Sequence, residues 1–277
     1  MGVEPSPYQI AVSRQTLDRI EERIKSVRMP ATSSGAGWKY GLDADWFKEL
    51  VAYWTDDFAW ARAQQELNRT PQYTLRIKDA PIHFAWIKPK KRSAPLPFIL
   101  LHGWPYTFAT MLPLADRLAE AGFEVIVPSL PGYGFSPAPN KEVRGLRFIG
   151  SRIAVLMEVL GFDRYIVHGG DHGAVIADWL AIDVPDRVAG IHANTIGFRH
   201  HGAEFGNGQT GNADATEEEK AYVKSEVEHM DSESAYFRLQ ATRPETITYA
   251  LADSPVGWRH TCSINGRNGP LGDRKHL

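Results

Sequence analysis

Residues 165–173 read Tyr-Ile-Val-His-Gly-Gly-Asp-His-Gly, and this stretch decides the fold. Its β-branched and aromatic start predicts a strand, and an apolar helical pattern follows at residues 174–182. Gly169, Asp171 and Gly173 match the spacing Gly-x-nucleophile-x-Gly of a nucleophile elbow. Such a turn strains its central residue and needs small neighbours, because strand and helix pass close together. The alternative is an ordinary strand–loop–helix joint with an acidic residue favoured by the helix dipole.

The central residue of this elbow is an acid, Asp171, where the serine version has a hydroxyl. A carboxylate is ionised at neutral pH because its ordinary pKa is about 4, so it needs no general base to become a nucleophile. It would attack carbon and leave an ester, which a second step must hydrolyse. The elbow therefore predicts covalent catalysis through an aspartyl ester.

Strand and helix patterns alternate on both sides of the elbow. Strands are predicted at 73–77, 82–87, 98–101, 125–127 and 188–195. Helices are predicted at 14–27, 43–67, 107–121, 148–160, 216–230 and 235–251, the last of them broken at Pro244. Thr216 and Glu219 have the spacing of a capping box at the start of one helix. This alternation predicts an α/β protein with a mostly parallel, doubly wound sheet.

Composition narrows the classes of partner. A formal net charge of -2 over 277 residues indicates neither nucleic acid nor an anionic membrane surface as a binding partner. The single cysteine, Cys262, favours a reducing compartment, and the sequence shows neither a secretory signal nor the ~20 apolar residues of a membrane span. We therefore expect a cytoplasmic protein. No metal-ligand spacing appears, the adjacent His200 and His201 are expected in a loop, and no cofactor is expected.

Four stretches in this order resemble the α/β-hydrolase-fold epoxide hydrolases. They are His102-Gly103-Trp104-Pro105, the elbow with Asp171, the run from Tyr236 to Pro244, and Asp253-Ser254-Pro255-Val256-Gly257. The N-terminal sequence, with Trp38-Lys39-Tyr40-Gly41, Tyr53-Trp54 and Leu67-Asn68-Arg69-Thr70-Pro71, is similar to the microsomal-type branch. The resemblance covers residues 8–257 and implies a small-molecule epoxide as substrate. It leaves a homodimer open.

The resemblance also implies roles for individual residues. Asp171 would be the nucleophile, and Tyr236 the first of two lid tyrosines that hold the epoxide oxygen, a task suited to a phenol with a pKa of about 10. Backbone N–H groups of Trp104 and His172 would form the oxyanion hole. Supporting motif residues are His102, Gly103, Pro105, Gly169, Gly170 and Gly173. The alternative for Tyr236 is a half-buried helix residue with its hydroxyl in water.

Position 172 departs from the family, which often carries tryptophan there. His172 is not expected to be the catalytic base, because the side chain of the residue after the nucleophile should point away from the carboxylate. Hydrolysis of the ester needs a histidine oriented by an acid, and both lie after the last two core strands in the family. No residue matches them, since His260 and His276 lie outside any matching motif.

These considerations predict the following organisation: an epoxide hydrolase N-terminal segment at 8–97 with a helical extension, a hydrolase core at 98–198 and a partial lid at 199–257. Residues 258–277 form an irregular tail, and an out-of-frame tail is a hypothesis that the coding DNA across Gly257 tests. The chain is expected to be C-terminally truncated, without the last core strands. Its turnover is expected to be impaired.

The predicted activity is the opening of an epoxide through an aspartyl ester to give a vicinal diol, a detoxification reaction. One alternative is a haloalkane dehalogenase-like hydrolase, which shares the aspartate nucleophile but needs indole N–H donors for the halide. A second alternative is a non-catalytic or unstable fragment.

Overall fold

The computed structural model describes residues 4–29, 31, 37–91, 93–139, 145–194 and 216–257. These residues divide between two compact units. The first unit takes in the described parts of Met1–Ile10 and Ala61–Arg199, and the second those of Ala11–Trp60 and His200–Leu277. The predicted tail at 258–277, with His260 and His276, lies outside the described residues, as do His200 and His201.

Seven strands and nine helices occur in the described ranges. The strands are β1 Ser6–Tyr8, β2 Gln72–Ile77, β3 Ala80–Ile87, β4 Phe98–Leu101, β5 Val125–Pro128, β6 Tyr165–Gly169 and β7 Val188–Ala193. The helices are α1 Arg14–Lys25, α2 Ala44–Asp56, α3 Trp60–Leu67, α4 Leu112–Glu120, α5 Leu146–Val159, α6 His172–Asp183, α7 Glu217–Glu233, α8 Ala235–Thr242 and α9 Pro244–Asp253.

All seven strands form one mixed sheet in the order β1-β2-β3-β5-β4-β6-β7. Strands β5, β4, β6 and β7 are parallel neighbours, whereas β1, β2 and β3 add to the sheet antiparallel. Parallel strands end at the same edge of the sheet, so the loops after β4, β5 and β6 meet there. The register places Leu101, the last residue of β4, opposite Gly169, the last residue of β6.

The core of the first unit lies between the sheet, including residues of β2 and β3, and the pair α5 and α6. The apolar run of β4 predicts a strand covered on both faces, and its residues Ile99, Leu100 and Leu101 are fully buried. Helix α5 buries one face, with Ile153, Leu156 and Met157, while α6 carries apolar residues on every side. Because β6 is buried on both faces, it fixes the position of the elbow that follows it.

The N-terminal segment predicted at 8–97 contributes to both units. Its strands β2 and β3 belong to the sheet because β3 pairs with β5 from Phe84 to Ile87. Strand β1, which periodicity does not reveal, pairs with β2 over three residues. Helices α1 and α2 belong instead to the second unit. The boundary at residue 97 thus separates strands that hydrogen bonding joins.

Helices of the second unit follow their local sequence signals. Asp43 caps α2 by accepting from the N–H groups of Asp45 and Trp46. The single helix predicted over 43–67 is interrupted after Asp56, where the N–H of Phe58 bonds to the carbonyl of Tyr53 instead of continuing the helical pattern.

The predicted capping box of the second unit is confirmed. Thr216 Oγ1 accepts from the Glu219 N–H, and the Glu219 carboxylate accepts from the Thr216 N–H. Helix α9 is joined to α1 by an exposed ion pair of 2.8 Å between Arg23 and Asp253.

Candidate active site

Asp171 lies in the tight turn between β6 and α6. Its backbone has φ 53° and ψ -125°, a conformation that side chains other than glycine rarely adopt. Such a conformation costs on the order of 1–3 kcal/mol and persists only where the surroundings impose it. The turn leaves the Asp171 side chain exposed. The local geometry is therefore that of an elbow that presents a carboxylate.

Glycines on both sides of Asp171 allow the strand and the helix to approach. A Cβ added at Gly169 would lie 2.3 Å from the carbonyl of Gly173, and one at Gly173 would lie 2.1 Å from the carbonyl oxygen of Leu101. At Gly170 an added Cβ would lie 2.3 Å from the side-chain oxygen of Asn194. All three distances are far shorter than real contacts of a Cβ. Gly169 and Gly173 meet backbone atoms and admit only glycine without movement of the backbone, whereas a larger residue at position 170 would displace the side chain of Asn194.

The loop after β4 supplies a donor to the Asp171 carboxylate. The N–H of Trp104 donates to Asp171 Oδ1 over 2.9 Å. Gly103 lets the loop come this close, because an added Cβ would lie 2.4 Å from the same oxygen. The Trp104–Pro105 peptide bond is cis. The Trp104 N–H therefore lies where an oxyanion-hole donor to Oδ1 would be expected.

The second oxyanion-hole residue expected from the sequence, His172, is the first residue of α6. Within the described residues, its N–H makes no hydrogen bond to the carboxylate. N–H groups in the first turn of a helix lack partners inside the helix, so this one remains available to an anion that forms at Asp171. The side chain of His172 bonds elsewhere, through Nδ1 to the hydroxyl of Tyr133.

His102 joins the two loops that surround Asp171. Its Nε2 accepts a hydrogen bond of 3.1 Å from the Leu130 N–H, so the ring proton is on Nδ1, which donates to the carbonyl of Gly103. Burial, the main cause, lowers the pKa of His102 and favours this neutral form. His102 thus fixes the loop after β4, which carries Trp104, to the loop after β5.

The loop at 131–136 is held in place by a buried polar network. Ser136 Oγ donates to the carbonyl of Ser129 and accepts from the His83 N–H. The ring of His83 bonds to Ser129 Oγ and to Gln72 Oε1, each over 2.9 Å. This network and the His102 bond hold the loop that carries Tyr133. The sequence marks this loop only as turn-rich, so its approach to the elbow could not be predicted.

Tyr236 lies in the second unit, on α8, and is half-buried. Its role as a donor to the epoxide oxygen stays a prediction. In the part of the chain that the structure describes, no group of three or more His, Cys, Asp or Glu side chains could hold a metal ion. None of the described helices combines the length and the apolar character that crossing a bilayer requires.

Comparison with known families and proteins agrees with this fold. Residues 97–241 match the family described as alpha/beta hydrolase fold, which covers the parallel strands and the elbow, and the chain belongs to this family. Residues 5–111 match a second description, "Epoxide hydrolase N terminus". The fold expected from the resemblance is thereby confirmed.

The relatives that are similar in sequence and the solved structures that are similar in fold are epoxide hydrolases by name. Juvenile hormone epoxide hydrolase 1 of Ctenocephalides felis is 31% identical and epoxide hydrolase 1 of Oryctolagus cuniculus 32% identical, each over 91% of this chain. The epoxide hydrolase structure from Aspergillus niger superimposes with a TM-score of 0.82 at 27% identity. The superposition covers 95% of this chain and 70% of the Aspergillus niger chain.

Juvenile hormone epoxide hydrolase from Bombyx mori gives a TM-score of 0.75 at 29% identity, over 94% of this chain and 62% of its own. The present chain spans only 57% and 60% of the lengths of the flea and rabbit relatives.

Proposed function

We propose that this chain carries the nucleophile and the oxyanion site of an epoxide hydrolase, which converts an epoxide to a vicinal diol through an ester on Asp171. The observation that carries the proposal is the strained Asp171, whose Oδ1 accepts from the Trp104 N–H over 2.9 Å while the side chain stays exposed. An elbow serine in this fold would need a histidine to activate it, whereas a carboxylate is already the nucleophile.

In the first step, Oδ2 of Asp171 attacks a ring carbon of the epoxide. The ring C–O bond breaks and its electron pair moves to the oxygen, which takes a proton from a phenol such as Tyr236. The Trp104 N–H holds Oδ1, so Oδ2 is the oxygen free to attack. The products of this step are an aspartyl ester and a neighbouring hydroxyl group.

In the second step, water adds to Cγ of the ester and the negative charge develops on Oδ1. The Trp104 N–H already lies at hydrogen-bonding distance from this oxygen, and the unpaired first-turn N–H of His172 is the second donor. Collapse of the tetrahedral intermediate breaks the Cγ–Oδ2 bond, and the leaving alkoxide takes the proton of the new carboxyl group, which gives the diol and restores the carboxylate. The proton that the base removed from water returns to the phenolate left by the first step. Removal of one such donor typically slows catalysis about 10²–10³-fold. The base that activates the water is not assigned among the described residues.

The proposal is tested by trapping the ester. The chain is mixed with styrene oxide, quenched with acid at short times and analysed by intact mass and peptide mapping, which detects the first step whatever the rate of the second. We expect one added substrate mass on the peptide with Gly170-Asp171-His172. Asp171→Asn should form none, while Asp163→Asn, a change at an exposed acid of the same unit, should behave as the parent.

An absent adduct in the folded parent would refute the proposal. Alkylation by a bromoalkane with bromide release, without any reaction with epoxides, would favour the dehalogenase alternative. We further propose a cytoplasmic location, which the single cysteine supports. Detoxification of reactive epoxides is the biological role that we propose for this activity.

A further inference from the structure

A hydrogen bond beside the nucleophile joins two side chains that the sequence does not connect. Tyr133 Oη lies 2.8 Å from Nδ1 of His172, the residue that follows Asp171. The two residues are 39 positions apart, so the bond links the loop after β5 to the first turn of α6. The ring of Tyr133 also packs edge-on against His102, with centroids 5.2 Å apart.

The position of Tyr133 is set by its loop. The Tyr133 N–H donates to the carbonyl of Leu130, and the Ser136 N–H donates to the carbonyl of Tyr133. Leu130 is in turn held by His102, and Ser136 by Ser129. Because both ends of the loop are fixed, the phenol is held against the imidazole by the fold and does not depend on a mobile side chain.

The direction of this hydrogen bond depends on the protonation of the two groups. Within the described ranges, His172 is the hydrogen-bond partner of the Tyr133 hydroxyl, and either Nδ1 or Oη could donate according to the tautomer of the imidazole. Burial and, second, the charge of Asp171 raise the pKa of Tyr133 to about 12, so the hydroxyl keeps its proton. Donation from the phenol to Nδ1 satisfies both groups.

We propose that Tyr133 is a positioning residue that donates a hydrogen bond to Nδ1 of His172 and thereby fixes the imidazole tautomer that carries its proton on Nε2. In this state Nδ1 accepts from the phenol and Nε2 carries the ring proton. The ring offers a single N–H to an oxygen or halide acceptor. The assignment of this donor to an epoxide site rests on the proposed function, whereas the tautomer does not.

The hydrogen bond changes what the His172 side chain can offer to a ligand. An indole is a hydrogen-bond donor without an acceptor, and a free neutral imidazole is both. Because Nδ1 already accepts from the hydroxyl of Tyr133, the imidazole is left with one N–H donor and no free acceptor, as in an indole.

The tautomer is tested by nitrogen NMR of the ¹⁵N-histidine-labelled full chain, with His172 assigned by comparison with His172→Gln. The spectra are recorded well above the reference histidine pKa of about 6.5. We expect a bare Nδ1 and a protonated Nε2 in the parent, and a mixture of tautomers in Tyr133→Phe. Tyr165→Phe is the matched control, because the buried Tyr165 hydroxyl has no partner among the described residues.

A protonated Nδ1 in the parent, or a Tyr133→Phe spectrum identical to the parent, would overturn the proposal. The parent spectrum decides the tautomer even if Tyr133→Phe does not fold. As a second measurement, the rate of ester formation on Asp171 should fall up to about tenfold in Tyr133→Phe, the effect of one hydrogen bond, and stay unchanged in Tyr165→Phe. Equal rates in both variants would overturn the positioning role.

Failure of the proposed function gives a different pattern. No ester would form in the parent or in any variant, while the NMR spectra would still test the tautomer of His172 independently.

Discussion

Acidification should destabilise the first unit through His83. This side chain is 0% exposed, and burial lowers its pKa from 6.5 to about 4. Between these two values the unfolded chain binds the proton and the folded chain does not, so stability is complete above about pH 6.5 and falls as the pH falls. The full loss is about 3 kcal/mol, from 1.36 kcal/mol for each pKa unit, and most of it is reached at about pH 4.5.

The assay is urea unfolding followed by tryptophan fluorescence at about pH 7.5 and pH 4.5. His83→Gln keeps a donor and an acceptor for Gln72 and Ser129 but does not titrate in this range. Carboxylates, His102 and His168 contribute equally to both proteins, so they cancel in the comparison. The loss of unfolding free energy on acidification should be smaller in His83→Gln by roughly 2–3 kcal/mol. Equal losses in both proteins would refute the reasoning.

Three further predictions follow from the packing. Gly173→Ala should abolish ester formation on Asp171, because the added Cβ would lie 2.1 Å from the carbonyl oxygen of Leu101. Gly190→Ala is the control and should leave ester formation unchanged, since no atom lies within 4 Å of its added Cβ. Equal adduct yields in the two variants would contradict the elbow geometry. Arg152→Met should lower the free energy of unfolding by roughly 1–3 kcal/mol, since the buried guanidinium donates to the carbonyl of Ile77, and an unchanged urea midpoint would count against this. Thr216→Ala should cost about 1 kcal/mol through loss of the capping box, measured as helix content by circular dichroism during urea unfolding.

Local sequence by itself determined the elements and the position of the elbow. The run of 165–173 specifies strand, turn and helix because β-branched residues, glycines and apolar periodicity act within a few residues. The capping box of Thr216 and Glu219 was predictable for the same reason, since both partners lie within one helical turn. The glycines at 169 and 173 could be named as essential before their contacts were known.

Tertiary structure alone decided which groups surround Asp171. The Trp104 N–H reaches Oδ1 across 67 residues, and Tyr133 reaches His172 across 39, because the strand order places the ends of β4, β5 and β6 side by side. The resemblance to a family predicted the role of the Trp104 N–H, but no sequence signal predicted the contact of Tyr133 with His172. Likewise the short β1 has too few residues for a period and exists because β2 offers it an edge. Strand order is a property of the whole sheet, so contacts that depend on it are absent from any local pattern.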